Sequence, residues 1–409
     1  LSMLTTDIAL TKDPIYLALV NKYAADLPAL TKDFGDAWYK LVTRDMGPIT
    51  RCTGDLIPPP QEFQYPLPDP PATFPSWDDV RAAIRTAMTT KSDALTPDTL
   101  GQTPYYGAAF TTLAWQCSST FRRSDYLGGC NGARIRYPPQ ATWPENLEMN
   151  KVLEILESVY TQFKAKNLSH ADLIILASQV ALEDAANLTL PGFCPGRVDA
   201  ADGKGSEYLN EYNYHGPGMN LTVSEIFIHK STVRGLSLRE AVALQARPRS
   251  KVIQVARGFS GTWGNSSVIS NTYFSILLDP DTTWTCKKDE CQSSKDKNVY
   301  MTTEDLALRW EPSLRTIAEQ YASNNTLFLR DFAWSWNKLV TNDRFKGPND
   351  NLCHSRVPPG PSPSPSPSPA AVPYGGIIGA GAGGIVLGAL VVFVMMRRSN
   401  KSDEMYNRV

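Results

Sequence analysis

The sequence is poor in the side chains that most often hold metal ions. Its seven cysteines include no C-x-x-C pair, and its four histidines are far apart in the chain: His170, His215, His229 and His354. Structural zinc sites need closely spaced Cys or His ligands. We therefore expect no metal site made of protein side chains.

The chain also lacks an excess of charge of either sign. It has 40 Lys and Arg residues against 41 Asp and Glu residues, which gives a formal net charge of −1. Proteins that bind nucleic acids need a basic surface that neutralises phosphates. The balance of charge therefore argues against nucleic acid as a partner.

An initiating Met and an N-terminal signal segment are both missing, because the sequence begins at Leu1 without a charged and then apolar leader. We interpret the sequence as a fragment or a processed product. Its 409 residues suit two or three domains. Apolar residues at 42% and aromatic residues at 10% exclude a chain that is disordered throughout.

Alternation of apolar and polar residues, the pattern of a half-buried strand, is scarce. Helical patterns dominate instead. Apolar residues between Met149 and Phe163 recur at the spacing of one helix face. Helix-start signals occur at four positions: Ser76, Ser169, Thr222 and Ser237. We predict a mainly α fold.

The cysteines and the glycosylation sequons indicate a region that lies outside the cell or in a lumen. Cys286 and Cys291 enclose a short polar loop and could close a disulfide. The other cysteines leave an odd count, so one thiol is free or pairs with a segment outside this sequence: Cys52, Cys117, Cys130, Cys194 and Cys353. Five N-x-S/T sequons predict glycosylation: Asn167, Asn187, Asn220, Asn265 and Asn324.

Residues 374–396 form a long uncharged apolar run. As a helix they would cross a hydrocarbon layer of about 30 Å, and a buried core helix is the alternative. Basic residues at the start of the tail, 397–409, place the tail in the cytosol. We expect a single-pass membrane protein whose N-terminal part is extracellular or luminal. Glycines at four-residue spacing, as at Gly375 and Gly379, favour helix association and so a homodimer.

Two segments beside this run carry their own signals. Residues 347–373 include an alternating Pro and Ser run, which predicts an extended, disordered stalk. The last four residues fit the Y-x-x-Φ sorting signals that adaptors bind as an extended strand. In that interpretation Tyr406 and Val409 are the two recognised side chains.

Residues 3–45 and 301–343 repeat each other at a constant offset of 298 residues. Identical pairs include Asp7 and Asp305, Tyr23 and Tyr321, Phe34 and Phe332, and Trp38 and Trp336. Unrelated helical hairpins would not share such spacing. We infer that the chain holds the end of one module and then a second module that closes with the same element.

The repeated motifs and three further ones resemble the catalase-peroxidases, the two-domain members of the class I haem peroxidases. MLTTD around Asp7 and TRDMGP around Arg44 resemble the end of their haem domain. STFRRSDYLGGCNGARIR, ADLIILASQVALE and PGRVDA resemble their second domain. The resemblance implies a haem-peroxidase-like helical fold, haem b as the cofactor, and hydrogen peroxide and a small electron donor as substrates.

The resemblance also divides the chain. It implies the C-terminal end of a catalytic module over residues 1–57, a Pro-rich connector over 58–75 and a second, haem-less module over 76–346. The stalk, the apolar run and the tail lie outside it.

In the first module the resemblance implies roles for Asp7 and Arg44. Asp7 matches the carboxylate that makes the iron-binding His a stronger ligand. Arg44 matches the mobile arginine of the catalase cycle. Both would act only with histidines that precede Leu1. The alternatives are a helix-start carboxylate for Asp7 and a surface ion-pair partner for Arg44.

In the second module the resemblance implies that the haem site has degenerated at six positions: Thr112, Trp115, Gln116, Arg249, Ile269 and Asp305. Thr112 and Gln116 replace the distal Arg and His, and only Trp115 is retained between them. Arg249 replaces the iron-binding His and Ile269 the proximal Trp. Asp305 is retained as a structural helix-start residue. A cation cannot bind iron, so we expect no haem on this chain alone.

We interpret the sequence as a fragment of a membrane-anchored, catalase-peroxidase-like oxidoreductase that breaks down hydrogen peroxide in oxidative stress. Most of the fragment is the non-catalytic supporting domain. The alternative is a non-enzymatic peroxidase-fold ectodomain that acts in adhesion or as a receptor. A third interpretation is a truncated form of a full enzyme.

Overall fold

The computed structural model describes residues 2–186, 188–210, 221–264 and 267–353, all within one compact unit. The helices of these residues are α1 (Thr5–Ala9), α2 (Pro14–Ala25), α3 (Leu27–Thr43), α4 (Trp77–Thr89), α5 (Gly107–Ser118), α6 (Met149–Phe163), α7 (His170–Ala186), α8 (Val223–Val233), α9 (Leu238–Gln245), α10 (Lys251–Ala256), α11 (Thr272–Leu278), α12 (Thr303–Trp310), α13 (Pro312–Ser323) and α14 (Asn325–Thr341). The prediction of a mainly α fold is confirmed.

Short antiparallel strands make three small sheets in the same part of the chain. The strands are β1 (Asp98–Leu100), β2 (Thr103–Tyr105), β3 (Trp284–Lys287), β4 (Glu290–Ser293), β5 (Tyr300–Thr302), β6 (Phe345–Lys346) and β7 (Asp350–Asn351). They pair as β1–β2, β3–β4–β5 and β6–β7. None is long enough to bury a face, so the helices form the core.

The core is built around α5 and α7, which pack against each other. Nearly all of α5 is buried, and its small residues at Gly107, Ala108 and Ala109 allow the two backbones to approach. In α7 every residue from Ala171 to Leu182 is buried. A helix that is apolar on all sides belongs inside a protein. Helices α4, α6 and α14 pack onto this pair.

The predicted helix starts have the expected caps. Ser76 Oγ accepts a hydrogen bond from Asp79 N at 3.4 Å, and Ser169 Oγ accepts one from Asp172 N at 3.0 Å. Thr222 and Ser237 each form a capping box with the Glu three residues later. These caps satisfy backbone donors that the first helical turn leaves unpaired.

The repeat is present in the structure as two equivalent helical units. Helices α1, α2 and α3 begin at positions that, moved by the 298-residue offset, are the first residues of α12, α13 and α14. Pro14 and Pro312 occupy the first position of their helices, where the missing N–H costs nothing. We call the first unit, residues 5–43, the N-terminal copy and the second, residues 303–341, the C-terminal copy.

The predicted disulfide is confirmed and two more are present. Cys286 and Cys291 lie opposite each other on β3 and β4 and are bonded. The further disulfides are Cys117–Cys130 and Cys194–Cys353. Cys52 is the free thiol of the described residues.

The expected membrane topology is corrected. Among residues 2–353, apart from the gaps named above, no helix combines the length and the apolar content that a bilayer crossing requires. The predicted single-pass localisation is contradicted by this finding. The segment on which it was based, 374–396, lies outside the described residues, as do the tail with Tyr406 and Val409 and most of the predicted stalk.

Two of the five predicted glycosylation sites are described. Asn167 is exposed and its side-chain amide donates to the Thr73 backbone oxygen at 3.2 Å. Asn324 caps α14 by accepting from Leu327 N at 3.0 Å. Asn187, Asn220 and Asn265 lie outside the described residues. Glycosylation stays a prediction.

Candidate functional site

Helix α5 brings the three predicted distal positions to one face. Thr112, Trp115 and Gln116 are spaced at i, i+3 and i+4, which aligns side chains on a helix. Trp115 and Gln116 line a cavity of about 390 Å³. Thr112 is buried beside them and its hydroxyl donates to the Ala108 backbone oxygen at 2.8 Å. A hydroxyl used in this way within its own helix has no free donor for a ligand.

The rest of the cavity wall comes from residues 144–145, from α8, from α9, α10 and the chain after each, from Asp289 and from the start of α12. Its charged residues are five cations and three carboxylates: Lys230, Arg234, Arg247, Arg249, Arg257, Glu145, Asp289 and Glu304. Apolar wall comes from Val223, Ile226 and Phe227. The site is therefore a mixed polar and apolar cavity with an excess of arginine.

Arg249 forms a two-pronged ion pair with Asp305. Its Nη1 lies 2.7 Å from Asp305 Oδ2 and its Nη2 lies 2.6 Å from Oδ1. Asp305 is fully buried. Burial alone would raise the pKa of Asp305, but the adjacent Arg249 guanidinium holds it far below the usual range. The same pairing raises the pKa of Arg249, although burial opposes it. Both groups are thus fixed in their charged forms.

Further hydrogen bonds occupy the remaining lone pairs of Asp305. Gln245 Nε2 donates at 2.9 Å, the Tyr273 hydroxyl at 2.6 Å and Thr302 N at 2.7 Å. The last bond belongs to the capping box that starts α12. Asp305 is therefore a helix-start residue and the centre of a buried ionic network, which sequence reasoning described only in its first role.

Gln245 and Tyr273 are members of this network that the sequence analysis did not single out. Ile269, predicted at the proximal Trp position, is buried and bonds through its backbone N to Ala185 O at 3.2 Å. The aromatic side chain that contacts the carboxylate comes instead from α11, four residues later. The residues around Tyr273 in α11 are mostly apolar, so only its hydroxyl could have indicated a polar partner.

Arg247 lies over the indole ring of Trp115. The guanidinium carbon is 3.6 Å from the ring centre, within the range of a cation–π contact. Arg234 approaches the same ring at 5.4 Å. Arg247 Nη1 donates to Leu244 O at 3.3 Å and to Gln245 Oε1 at 3.2 Å. Trp115, which the family resemblance gives as the retained residue of the three distal positions, thus contacts two arginines in this chain.

Asp7 and Arg44 are not brought to this cavity. Asp7 lies exposed in α1, where its Oδ2 accepts from Leu4 N at 2.8 Å. Arg44 is exposed at the end of α3. In the C-terminal copy the equivalent of Arg44 is Asn342, which donates to Arg234 O at 2.9 Å. The family roles of Asp7 and Arg44 remain predictions.

The residues around the cavity do not fit haem. Haem iron in proteins is held by His, Cys, Met or Tyr side chains, and none of these is among the described residues that line the cavity. Arg249 stands at the predicted ligand position and carries a fixed positive charge. In the described part of the chain, no cluster of three or more His, Cys, Asp or Glu residues is arranged to hold a metal ion.

Comparison with known proteins shows which family the chain resembles. The family model described as Peroxidase matches residues 80–324. The chain is 32% identical over 373 residues to a catalase-peroxidase of Leptospira biflexa, an alignment that covers 84% of this chain and 48% of that protein.

Two other relatives match the chain with the same identity and similar coverage. A catalase-peroxidase of Mycobacterium marinum is 32% identical over 375 residues, covering 84% of this chain and 49% of that protein. Catalase-peroxidase 2 of Legionella pneumophila is 32% identical over 389 residues, covering 86% of this chain and 49% of that protein. The chain spans about half the length of the curated relatives it matches.

Proposed function

Because the chain belongs to the peroxidase family, we propose that residues 76–346 form a haem-free module that supports a hydrogen-peroxide oxidoreductase of the catalase-peroxidase kind. Residues 1–57 are the end of the catalytic module and 58–75 connect the two. The haem b of that catalytic module is bound by residues outside this sequence.

The observation that carries this proposal is the Arg249–Asp305 ion pair. In a haem peroxidase the equivalent carboxylate polarises the imidazole on the iron. Here the carboxylate is saturated by a guanidinium, a tyrosine hydroxyl, an amide and a backbone N–H. Removing Arg249 would leave a buried charge without its partner and would destabilise the fold.

The assignment of residues 1–57 to another module is supported by the surface of the N-terminal copy. No residue of α1, α2 or α3 is buried, although the equivalent positions of the C-terminal copy form much of the core. Phe34 and Trp38 keep a stacked geometry on the surface. Apolar rows of this kind mark a surface that packs against a further protein element.

In the complete enzyme, Asp7 would accept the hydrogen bond of the iron-binding His and so raise its basicity. Haem would supply the redox chemistry with hydrogen peroxide and a small electron donor. Arg44 would present a mobile positive charge near that site. The second module would contribute no reacting group.

The proposal is tested by adding haem to the purified 409-residue chain and recording its absorption spectrum and catalase activity. We expect no histidine-type Soret band and no activity above that of free haem. A histidine-ligated haem peroxidase, reconstituted in parallel, shows that the procedure loads haem. A stoichiometric complex with a histidine-ligated spectrum would contradict the proposal.

A variant of the same chain sharpens this test. His229 is exposed on α8 and does not line the cavity, so His229→Ala removes a surface imidazole without touching the degenerate site. A weak Soret band that disappears in His229→Ala belongs to surface adsorption. A Soret band that persists in His229→Ala and disappears when a residue that lines the cavity is substituted would count against a haem-free module.

A further inference from the structure

We propose that the cavity beside Trp115 binds a small organic anion, a carboxylate or phosphate ester that also carries a hydroxyl donor. Arg247 is the main contact of the anionic group and Glu145 accepts from the hydroxyl. This site is independent of the function proposed above, because it needs neither an upstream module nor haem.

The size and wall of the cavity suit a small molecule. Its volume of about 390 Å³ lies in the range of ligand sites, roughly 300–1,000 Å³. Val223, Ile226 and Phe227 provide apolar surface, while the arginines provide converging donors. Small-molecule sites combine such an apolar wall with a few placed polar groups. A polymer such as nucleic acid would need an open, extended surface instead.

Arg247 has no ion pair with a carboxylate among the described residues, in contrast to two of the neighbouring cations of the wall. Arg249 is neutralised by Asp305, and Lys230 Nζ lies 2.7 Å from Glu304 Oε1. No carboxylate lies within ion-pairing distance of Arg247 in the described part of the chain. Burial lowers the pKa of Arg247 and the nearby charge of Arg249 lowers it further, while Asp305 acts in the opposite direction. A bound anion would relieve both effects.

The position of Arg247 is fixed before a ligand arrives. The Trp115 ring supports its guanidinium on one face, and Leu244 O and Gln245 Oε1 hold its Nη1. Its Nε and Nη2 groups have no hydrogen-bond partner among the described residues. A guanidinium offers adjacent N–H groups that match carboxylate or phosphate oxygens. Pre-ordering of the donor lowers the entropic cost of binding.

Glu145 supplies the second half of the recognition. Both of its carboxylate oxygens are buried and have no hydrogen-bond donor among the described residues. Burial raises the pKa of this carboxyl, while the nearby Glu145 backbone N–H and the charges of Arg257 and Lys230 act in the opposite direction. A buried acceptor without a donor is costly. A ligand hydroxyl would satisfy it, whereas a simple dianion would bring a second negative charge to the same place.

The experiment measures binding to the intact 409-residue chain by isothermal titration calorimetry at low salt. The probes are tartrate, succinate, glycerol 3-phosphate and propyl phosphate. Tartrate and succinate have the same chain length and charge, but only tartrate carries hydroxyls. Glycerol 3-phosphate and propyl phosphate make the same comparison for phosphates, because both are three-carbon monoesters and only glycerol 3-phosphate carries hydroxyls on its carbons. We expect tartrate or glycerol 3-phosphate to bind with one site and at least tenfold more tightly than its matched probe.

Variants test the two contacts. Arg247→Gln should weaken that binding at least tenfold, and Arg247→Lys should restore only part of it, because the ammonium lacks the planar fork. In Glu145→Gln, the ratio of affinities between tartrate or glycerol 3-phosphate and its matched probe should fall below threefold. Arg315→Gln is the matched control, because Arg315 is an exposed cation of α13 paired with Glu319 and does not line the cavity.

Each outcome decides the proposal. Circular dichroism and thermal unfolding without ligand show whether the variants fold. A folded Arg247→Gln that binds as tightly as the wild type, or a wild type that binds none of the four probes at millimolar concentration, overturns the site. An equal loss of affinity in Arg247→Gln and Arg315→Gln would show that the binding is nonspecific charge attraction. That result would also overturn the site. Equal affinities within both probe pairs overturn the role of Glu145.

Discussion

The N-terminal and C-terminal copies of the repeat have the same local structure in opposite environments. The Tyr23 hydroxyl donates to Asp33 Oδ2 at 2.9 Å, and Tyr321 makes the equivalent bond to Asp331 at 3.0 Å. The stacked ring pair is Phe34–Trp38 in one copy, with centres 6.0 Å apart, and Phe332–Trp336 in the other, at 6.2 Å. The helical hairpin is therefore encoded locally.

Burial separates the two copies. Trp38 is 56% exposed and Trp336 is 2% exposed, while Phe34 is 60% exposed and Phe332 is fully buried. The same apolar row is surface in one copy and core in the other. The shared residues thus specify the hairpin, and the elements packed around it decide how much that hairpin contributes to stability.

The largest predicted contrast is therefore between the two tryptophans. Trp336→Ala should lower the free energy of unfolding by about 3–5 kcal/mol, because it opens a cavity in the core. Trp38→Ala should change it by less than about 0.5 kcal/mol, because its ring is largely in water already. Urea unfolding followed by circular dichroism measures both. Similar losses in the two variants would show that the N-terminal copy is buried in solution.

The second contrast is between the two aspartates. Asp305→Asn should cost about 3 kcal/mol, because it leaves the buried Arg249 without its counter-charge. Asp7→Asn should cost no more than about 1 kcal/mol, the usual range for a helix-start contact. In a protein that includes an active haem module, the order of effects on peroxidase turnover should reverse. Equal losses of turnover at equal folded fraction would contradict the roles assigned to the two residues.

The pH dependence of the free energy of unfolding should report the ionisation of Asp305. The folded-state pKa of Asp305 is lowered, since Arg249 outweighs the effect of burial. Its contribution is therefore present above the unfolded pKa of about 3.9 and is lost as pH falls toward the folded value. We expect the stability gap between wild type and Asp305→Asn to be constant from pH 7 to 5 and to shrink below about pH 4. A gap that stays constant to pH 3 would mean that Asp305 does not titrate with folding.

The sequence was sufficient for features that depend on local patterns. Helix starts at Ser76, Thr222 and Ser237 were predictable because caps need particular side chains at fixed spacing. The Cys286–Cys291 disulfide was predictable because the loop between them is short. The repeat was visible because its spacing has no insertions.

Contacts between distant segments could not be predicted in this way. Tyr273 and Asp305 are 32 residues apart and meet only because α11 and α12 pack together. Pairing of Cys194 with Cys353 spans 159 residues, and nothing near either cysteine indicates its partner. No local pattern singles out Arg247, because its stacking on Trp115 depends on how α5 faces the chain after α9.

The smallest predicted contrast is between the two tyrosines, and it tests whether a shared hydrogen bond has a shared value. Tyr321→Phe should cost about 1 kcal/mol, because its ring is fully buried and Asp331 would lose a donor in a site with little water. Tyr23→Phe should cost close to nothing, since Asp33 is partly exposed and water can replace the hydroxyl. The Lys22–Asp33 pair remains intact in that variant. Both losses of unfolding free energy are measured from the midpoints of urea unfolding, with the same dependence on urea concentration for each variant. Trp336→Ala serves as the reference for a large loss. If Tyr23→Phe cost as much as Tyr321→Phe, the bond energy would come from the hairpin itself, and burial would no longer explain the difference between the copies.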